Sequence, residues 1–164
     1  MKKVLVIGGG YGGLRAIESL SKYKDISITL IDKNPYHYLQ TEAYGYIAGR
    51  FDMHDIAIDL KNWCEGFKGN VAFIHAEATS INFDEKSVEL DGSELFYDYL
   101  IIATGAKTHF FSFIEGLREN SYGVKNLQRA HNFRIEFENH IYNKLQKEEG
   151  SEEGEVNIAI GGAG

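Results

Sequence analysis

Lys2-Lys3-Val4-Leu5-Val6-Ile7-Gly8-Gly9-Gly10-Tyr11-Gly12-Gly13-Leu14-Arg15-Ala16-Ile17 is the stretch that decides the fold. A short apolar run of strand type enters a glycine turn, and the turn opens at once into a segment of helical type. Gly8, Gly10 and Gly13 fit G-x-G-x-x-G, the spacing of a dinucleotide-binding turn. Each glycine has its own reason. Gly8 lets the chain leave the strand sharply, Gly10 keeps side-chain atoms away from an approaching pyrophosphate, and Gly13 lets the helix pack close to the strand. The N–H groups of the first helical turn, running through Tyr11, Gly12 and Gly13, then face the anion.

The next strand-like run, Ile26-Ser27-Ile28-Thr29-Leu30-Ile31, ends in Asp32, which stands 19 positions after Gly13. That is close to the ~20 expected of the acid that binds a ribose hydroxyl. An acid there rather than an arginine argues against a 2′-phosphate, so the site suits NAD or the adenosine half of FAD. Strand, helix and strand within so short a span make a right-handed βαβ unit with parallel strands.

Composition sets the bounds. The 164 residues are enough for one core, or for one domain and part of another. The 43% hydrophobic and 25% charged content is ordinary for a soluble globular chain. A net charge of −7 argues against nucleic acid as a partner. No apolar run has the length of a membrane span, and no signal-peptide stretch precedes the first strand, which fits the cytoplasm. The single cysteine, Cys64, permits no intrachain disulfide or dithiol couple and reads as a small core residue. Six scattered histidines lack metal-ligand spacing, so packing and surface roles, and no metal, are expected of them.

Further along, the first helix is expected to stop near Lys24-Asp25, with Glu18 and Lys22 paired on its wet side. The aromatic-rich stretch from Tyr36 to Arg50 has two readings: a partly buried connecting helix, or a stackable wall for a flat ring. Residues 53–67 look helical, with Ile56, Leu60 and Cys64 at i,i+4 spacing. Residues 70–76 read as a buried strand. Segments 79–83, 87–90 and 94–97, separated by turn chemistry, read as a three-stranded antiparallel meander. Residues 97–103 read as another buried strand, closed by the small residues Thr104-Gly105. After a loop over 107–123, residues 126–146 form a long amphipathic helix with a stripe from Leu127 to Leu145. A charged linker follows, then a strand over 156–160 that runs into Gly161-Gly162-Ala163-Gly164, the start of a second glycine fingerprint. A chain that halts there reads as the N-terminal part of a longer protein with two dinucleotide sites.

These stretches resemble the two-dinucleotide-binding flavoproteins, the FAD-dependent pyridine nucleotide-disulfide oxidoreductases. Gly8 to Gly13 with Asp32, His37 to Gly49, Tyr97 to Gly105 ending in Ala-Thr-Gly, and Ile160 to Gly164 carry the likeness in family order. Type II NADH dehydrogenases look nearest, and sulfide:quinone oxidoreductases second. The resemblance implies an α/β, Rossmann-like FAD-binding domain over 1–108. A connecting loop, amphipathic helix and linker over 109–155 would follow, then the truncated start of an NADH-binding domain over 156–164. It implies that NADH passes hydride to FAD, which reduces a quinone, with the cofactor carrying the difficult chemistry.

By the same likeness Asp32, with Lys33 beside it, would hold the adenosine ribose, and Gly8, Gly10, Tyr11, Gly12 and Gly13 would line the pyrophosphate. Ala78 or its neighbours would meet the adenine through backbone, Ala103, Thr104 and Gly105 would lie along the cofactor, and Gln40 and Thr41 would approach the flavin ring. The catalytic residues themselves are not assigned. Glu42 departs from the apolar pattern usual at that point: either the alignment is displaced there, or its carboxylate tunes the ring. Disulfide reductases of this family carry paired cysteines in a region where 34–50 here has none. Sulfide:quinone enzymes carry cysteines after the Ala-Thr-Gly strand, where 106–164 has none, which favours the NADH dehydrogenase. Peripheral membrane association is implied only through a C-terminal part beyond this chain, and homodimerisation through apolar surface left uncovered. The contrasting expectation is a binding module: 164 residues that fold around FAD or an adenine nucleotide, retain flavin weakly and do not turn over.

Overall fold

The computed structural model describes residues 1–146 and 157–161. In chain order the elements are β1 (Lys2–Ile7), α1 (Tyr11–Leu20), β2 (Ile26–Asp32), β3 (Tyr36–Tyr38), a 3₁₀ turn (Gln40–Glu42), α2 (Ala43–Ile47) and α3 (Met53–Ile56). There follow β4 (Ala57–Asp59), α4 (Leu60–Glu65), β5 (Val71–His75), β6 (Ala78–Asn82), β7 (Ser87–Leu90), β8 (Ser93–Phe96), β9 (Tyr99–Ile102) and α5 (Leu127–Leu145). They fall into two compact units. One holds Met1–Leu39 and Asp52–His109; the other holds Gln40–Phe51 and the described residues from Phe110 onward.

The first unit is built on β1. Val4 to Ile7 are buried without a break, as expected of a strand covered on both faces. Successive side chains point to opposite faces. Val4 and Val6 join Leu14, Ile17, Ile28, Leu30, Leu60, Cys64 and Val71 in one core cluster, which the helices α1 and α4 close. Leu5 and Ile7 join Ile31, Val88 and Leu90 in a second cluster on the other side. The parallel sheet runs β5-β2-β1-β9, and β6-β7-β8 form the antiparallel meander. The meander therefore covers the face of the parallel sheet that the helices leave.

Short-range chemistry fixes the register. Asp98, just ahead of β9, accepts the Lys3 N–H at 2.7 Å and the Lys2 ammonium at 3.0 Å. The Lys3 N–H, then Lys2, hold the Asp98 carboxyl below its ordinary range. Val4 lies opposite Tyr99 and Ile7 opposite Ile102.

Several sequence expectations are corrected. α1 stops at Leu20: the Ser21 N–H still bonds the Ile17 carbonyl at 2.8 Å, but the Tyr23 N–H then bonds the Leu20 carbonyl at 3.0 Å in a tighter turn. Lys22 is thus off the helix, and Glu18 pairs instead with Arg15 at 3.0 Å. Residues 53–67 do not form one helix. Ile56, Leu60 and Cys64 are all buried, as their spacing suggests. Between the first two, however, Ala57–Asp59 pairs antiparallel with Tyr36–Tyr38, and Asp59 starts α4 by accepting the Asn62 N–H at 2.7 Å. The strands expected as buried at 70–76 and 97–103 lie at the two edges of the described sheet, and Tyr99 and Ile102 are more than half exposed.

In the second unit α2 packs on α5. Ala43 and Tyr46 are buried, as are Leu127 and Ala130. Tyr46 Oη lies 2.6 Å from His131 Nδ1, and the Arg134 guanidinium sits 4.8 Å from the Tyr46 ring centre. Asn126 caps α5 by accepting the Arg129 N–H at 3.2 Å. The apolar stripe weakens along α5: Phe133, Phe137 and Ile141 are half-buried and Leu145 is exposed. The stretch from Tyr36 to Arg50 is not one connecting helix but a strand, a 3₁₀ turn and the five-residue α2. Of the strand expected over 156–160, the described residues 157–160 are not in a strand. Val156 and the glycines at 162 and 164 lie outside the described residues.

Leu30 is fully buried between the helices and the sheet. Leu30→Ala should lower unfolding stability by about 2–5 kcal/mol, read as a lower urea midpoint at unchanged slope.

Candidate functional site

The glycine turn has a buried side and an open side. Gly8, Gly9 and Gly13 are buried; Gly10, Tyr11 and Gly12 are exposed. Gly8 has a φ of +109°, and a Cβ there would stand 2.3 Å from the Ala103 carbonyl oxygen. The Gly8 N–H continues the ladder to the Ile31 carbonyl at 2.8 Å. A Cβ on Gly13 would stand 1.9 Å from the Gly8 oxygen, so α1 touches the end of β1 through bare backbone. A Cβ on Gly9 would strike the Leu60 side chain at 2.6 Å.

Gly10 differs from all three. Its φ of −82° and ψ of −176° suit any residue, and a Cβ there meets no atom within 4 Å. Neither the backbone nor the packing of this chain asks for glycine at position 10. Gly10 also caps α1, and its carbonyl accepts the first helical bond, from Leu14, at 3.0 Å. No side chain caps this end and no acid stands in the first turn. The N–H groups ahead of Leu14 cannot bond within the helix, and the helix dipole makes this end receptive to an anion.

Asp32 sits at the end of β2, beside the turn. Its Oδ2 accepts the Gly9 N–H at 2.6 Å, and its Oδ1 accepts the Asn34 N–H at 2.7 Å. A carboxylate has further lone pairs for a hydroxyl donor. Ala103 closes the other flank: its N–H bonds the Ile7 carbonyl at 2.7 Å, and its Cβ faces Gly12. Thr104 is exposed next to it, and Gly105 turns the chain with a φ of +71°.

The turn, Asp32, Ala103 and Thr104 are therefore gathered at one end of the parallel sheet. Lys33 pairs with Glu77 at 3.5 Å on the surface. Ala78 opens β6 and packs against the meander core. Gln40 and Thr41 lie exposed in the 3₁₀ turn of the second unit.

Sequence reasoning missed Gly9 and His37. Gly9 occupies a variable place in the fingerprint, and the nearness of the Leu60 side chain and of Asp32 Oδ2 explains it. His37 was expected in a packing or surface role, yet it is buried and its Nδ1 lies 2.8 Å from the Gly9 carbonyl oxygen. Its position five residues after Asp32, in an aromatic run, was the available signal. Among the described residues one group could bring three ligand atoms together, Asp52, His54 and Asp55; all three are exposed. Cys64 is buried, and burial pushes its thiol up to about 11, so it is not a thiolate at neutral pH.

The model of the pyridine nucleotide-disulphide oxidoreductases matches residues 2–164. The chain belongs to that family. The type II NADH:quinone oxidoreductase of Staphylococcus aureus (strain NCTC 8325 / PS 47) is 32% identical over 166 residues, covering 99% of this chain and 40% of the relative. The chain thus spans about 40% of the length of the curated relatives it matches. Two solved structures share the fold. The sulfide:quinone oxidoreductase of Aquifex aeolicus superposes with a TM-score of 0.78 at 32% identity, covering 87% of this chain and 33% of that one. NDH2 from Plasmodium falciparum, solved in complex with NADH, gives 0.76 at 26% identity, covering 93% and 32%. The parallel sheet with its antiparallel meander is the arrangement these oxidoreductases share. No helix among the described residues is long and apolar enough to cross a membrane.

Gly13→Ala should sharply reduce stability, because a methyl group would meet the Gly8 carbonyl and α1 would have to move off β1. Thermal unfolding followed by circular dichroism checks this. Cys64 should resist thiol reagents in the folded protein at neutral pH and react fully in denaturant; rapid labelling of the native protein would contradict its burial.

Proposed function

We propose that the turn at Gly8–Gly13 holds the pyrophosphate of FAD, in a protein that carries electrons from NADH to a quinone. Gly10 carries this reading. It is a glycine that the protein's own packing and backbone do not need, on the open side of the turn, at the uncapped start of a helix. A phosphate against the backbone gives it a reason. Asp32 suits the ribose, and Ala103 with Thr104 forms a flank of small side chains along which a nucleotide can lie. The likeness to a type II NADH:quinone oxidoreductase along nearly the whole chain supports NADH and quinone as the two partners.

The residues divide the work. Gly10 and Gly12 offer backbone N–H groups and carry no side chain, Tyr11 stands between them, and Asp32 selects an unphosphorylated ribose. Ala78 or its neighbours would meet the adenine through backbone, and Gly105 would lie with Ala103 and Thr104 along the nucleotide. Bound flavin supplies the two-electron step between donor and acceptor. NADH would use the second glycine fingerprint, and the quinone a part of the protein beyond these residues. Such a protein would work in the cytoplasm, at the inner face of a membrane.

A sulfide donor is the second reading, favoured by the Aquifex aeolicus likeness. The sole cysteine of the 164 residues is buried and protonated, which leaves this portion no thiol to meet sulfide.

Gly10→Val tests the proposal in the whole protein that carries this chain. The variant should keep its unfolding temperature, since beyond the adjoining residues no atom lies within 4 Å of a Cβ at this position. It should lose the yellow colour, the flavin spectrum and NADH-driven quinone reduction. A variant that stays yellow and active would overturn the FAD reading. Wild-type protein that reduces quinone with sulfide and not with NADH would overturn the choice of donor.

A further inference from the structure

We infer that His37 is the positioning residue that sets the orientation of the Gly9–Gly10 peptide, and with it the direction of the Gly10 N–H. This rests on the nucleotide reading of the turn and deepens it. Gly8, Gly9 and Gly10 are consecutive, so no side chain within the turn favours one peptide orientation over its flip. An anchor outside the turn has to choose.

Two such anchors are present, one on each side of Gly9. Its N–H donates to Asp32 Oδ2 at 2.6 Å, and its carbonyl lies 2.8 Å from His37 Nδ1. A carbonyl oxygen only accepts, so Nδ1 is the donor and carries the hydrogen. The peptide between Gly9 and Gly10 is trans and planar, so its carbonyl and its N–H point in opposite directions. With the carbonyl turned to His37, the Gly10 N–H is turned away from the protein anchor. Were the peptide flipped, a carbonyl dipole would take its place and oppose an anion.

His37 is itself held on several sides. It is 3% exposed. Its backbone lies in β3, opposite Ile58 of β4. The Tyr11 ring meets the imidazole edge-on, with centres 4.7 Å apart and planes at 88°. Burial pushes the imidazole below its ordinary pKa, against smaller opposing effects of the Gly9 carbonyl and Asp32, which favours the neutral ring with one donor. The 57–59 interruption in the expected helix thus gains a reason: it supplies the strand that backs β3.

The test compares His37→Leu, which has no donor, with His37→Asn, whose side-chain amide can place an N–H near the position of Nδ1. FAD and ADP are titrated into the full chain, and the ring nitrogens of His37 and the Gly10 amide are followed by nitrogen-15 NMR. His37→Leu should bind both probes at least about tenfold more weakly, the scale of one lost hydrogen bond, and His37→Asn should recover most of that loss. Wild-type His37 should show the Nδ1–H tautomer, and the Gly10 amide signal should move on adding ADP. If His37→Leu fails to fold, the wild-type tautomer and the affinity of His37→Asn decide. An Nε2–H tautomer, or a folded His37→Leu that binds as wild type does, overturns the role of His37 and leaves the nucleotide reading standing. A wild-type chain that binds neither FAD nor ADP overturns the nucleotide reading itself.

Discussion

Helix α1 lies against the end of β1 because Gly13 has no side chain. The Gly13 Cα faces the Gly8 carbonyl so closely that a single methyl group would stand 1.9 Å from its oxygen. The rest of the first unit follows from that contact. It brings Leu14 and Ile17 down onto Val4 and Val6, and so closes one of the two cores. It leaves the start of the helix open at the end of the parallel sheet, with the end of β9 next to it. Gly8 makes the same kind of contact on its other side with the Ala103 backbone. The turn is therefore wedged between a helix and an edge strand, and its shape belongs to the packing of the sheet.

The two cores show why β1 reads as continuous apolar sequence rather than as alternation. Odd and even residues both need cover, and they receive it from different layers. Helices take Val4 and Val6; the meander takes Leu5 and Ile7. A sheet of this kind keeps its polar, reactive features at its ends, where loops leave the strands. Asp32, the glycine turn and Ala103-Thr104 all lie at such an end.

What the sequence made legible was local chemistry with a fixed spacing. The glycine fingerprint, the acid after the second strand, the short segments of the meander and the long helix from Leu127 all rest on patterns of a few residues. What it hid was decided by distant partners. The helical spacing of Ile56, Leu60 and Cys64 correctly marks burial, but the backbone between Ile56 and Leu60 answers to β3, some twenty positions earlier. The edge position of β9 could not be read from its apolar residues, because exposure depends on which strand lies alongside. His37 escaped for the same reason. Nothing in an isolated histidine says that a glycine carbonyl twenty-eight positions earlier will sit 2.8 Å from its ring. In the glycine turn, spacing gave the motif, but only the three-dimensional neighbours separate the glycines the fold requires from the one it does not.

Asp32 holds the Gly9 N–H with one carboxylate oxygen and the Asn34 N–H with the other. The residue proposed to select the nucleotide is thus also a strut of the loop proposed to receive it. In an evolving lineage those two properties are inherited together. A change at position 32 toward a basic residue, the simplest route to a phosphorylated ribose, would remove the acceptor that steadies Gly9 before any new preference could be gained. A shift of cofactor here would need compensating substitutions around the turn, and drift at this single position is correspondingly constrained.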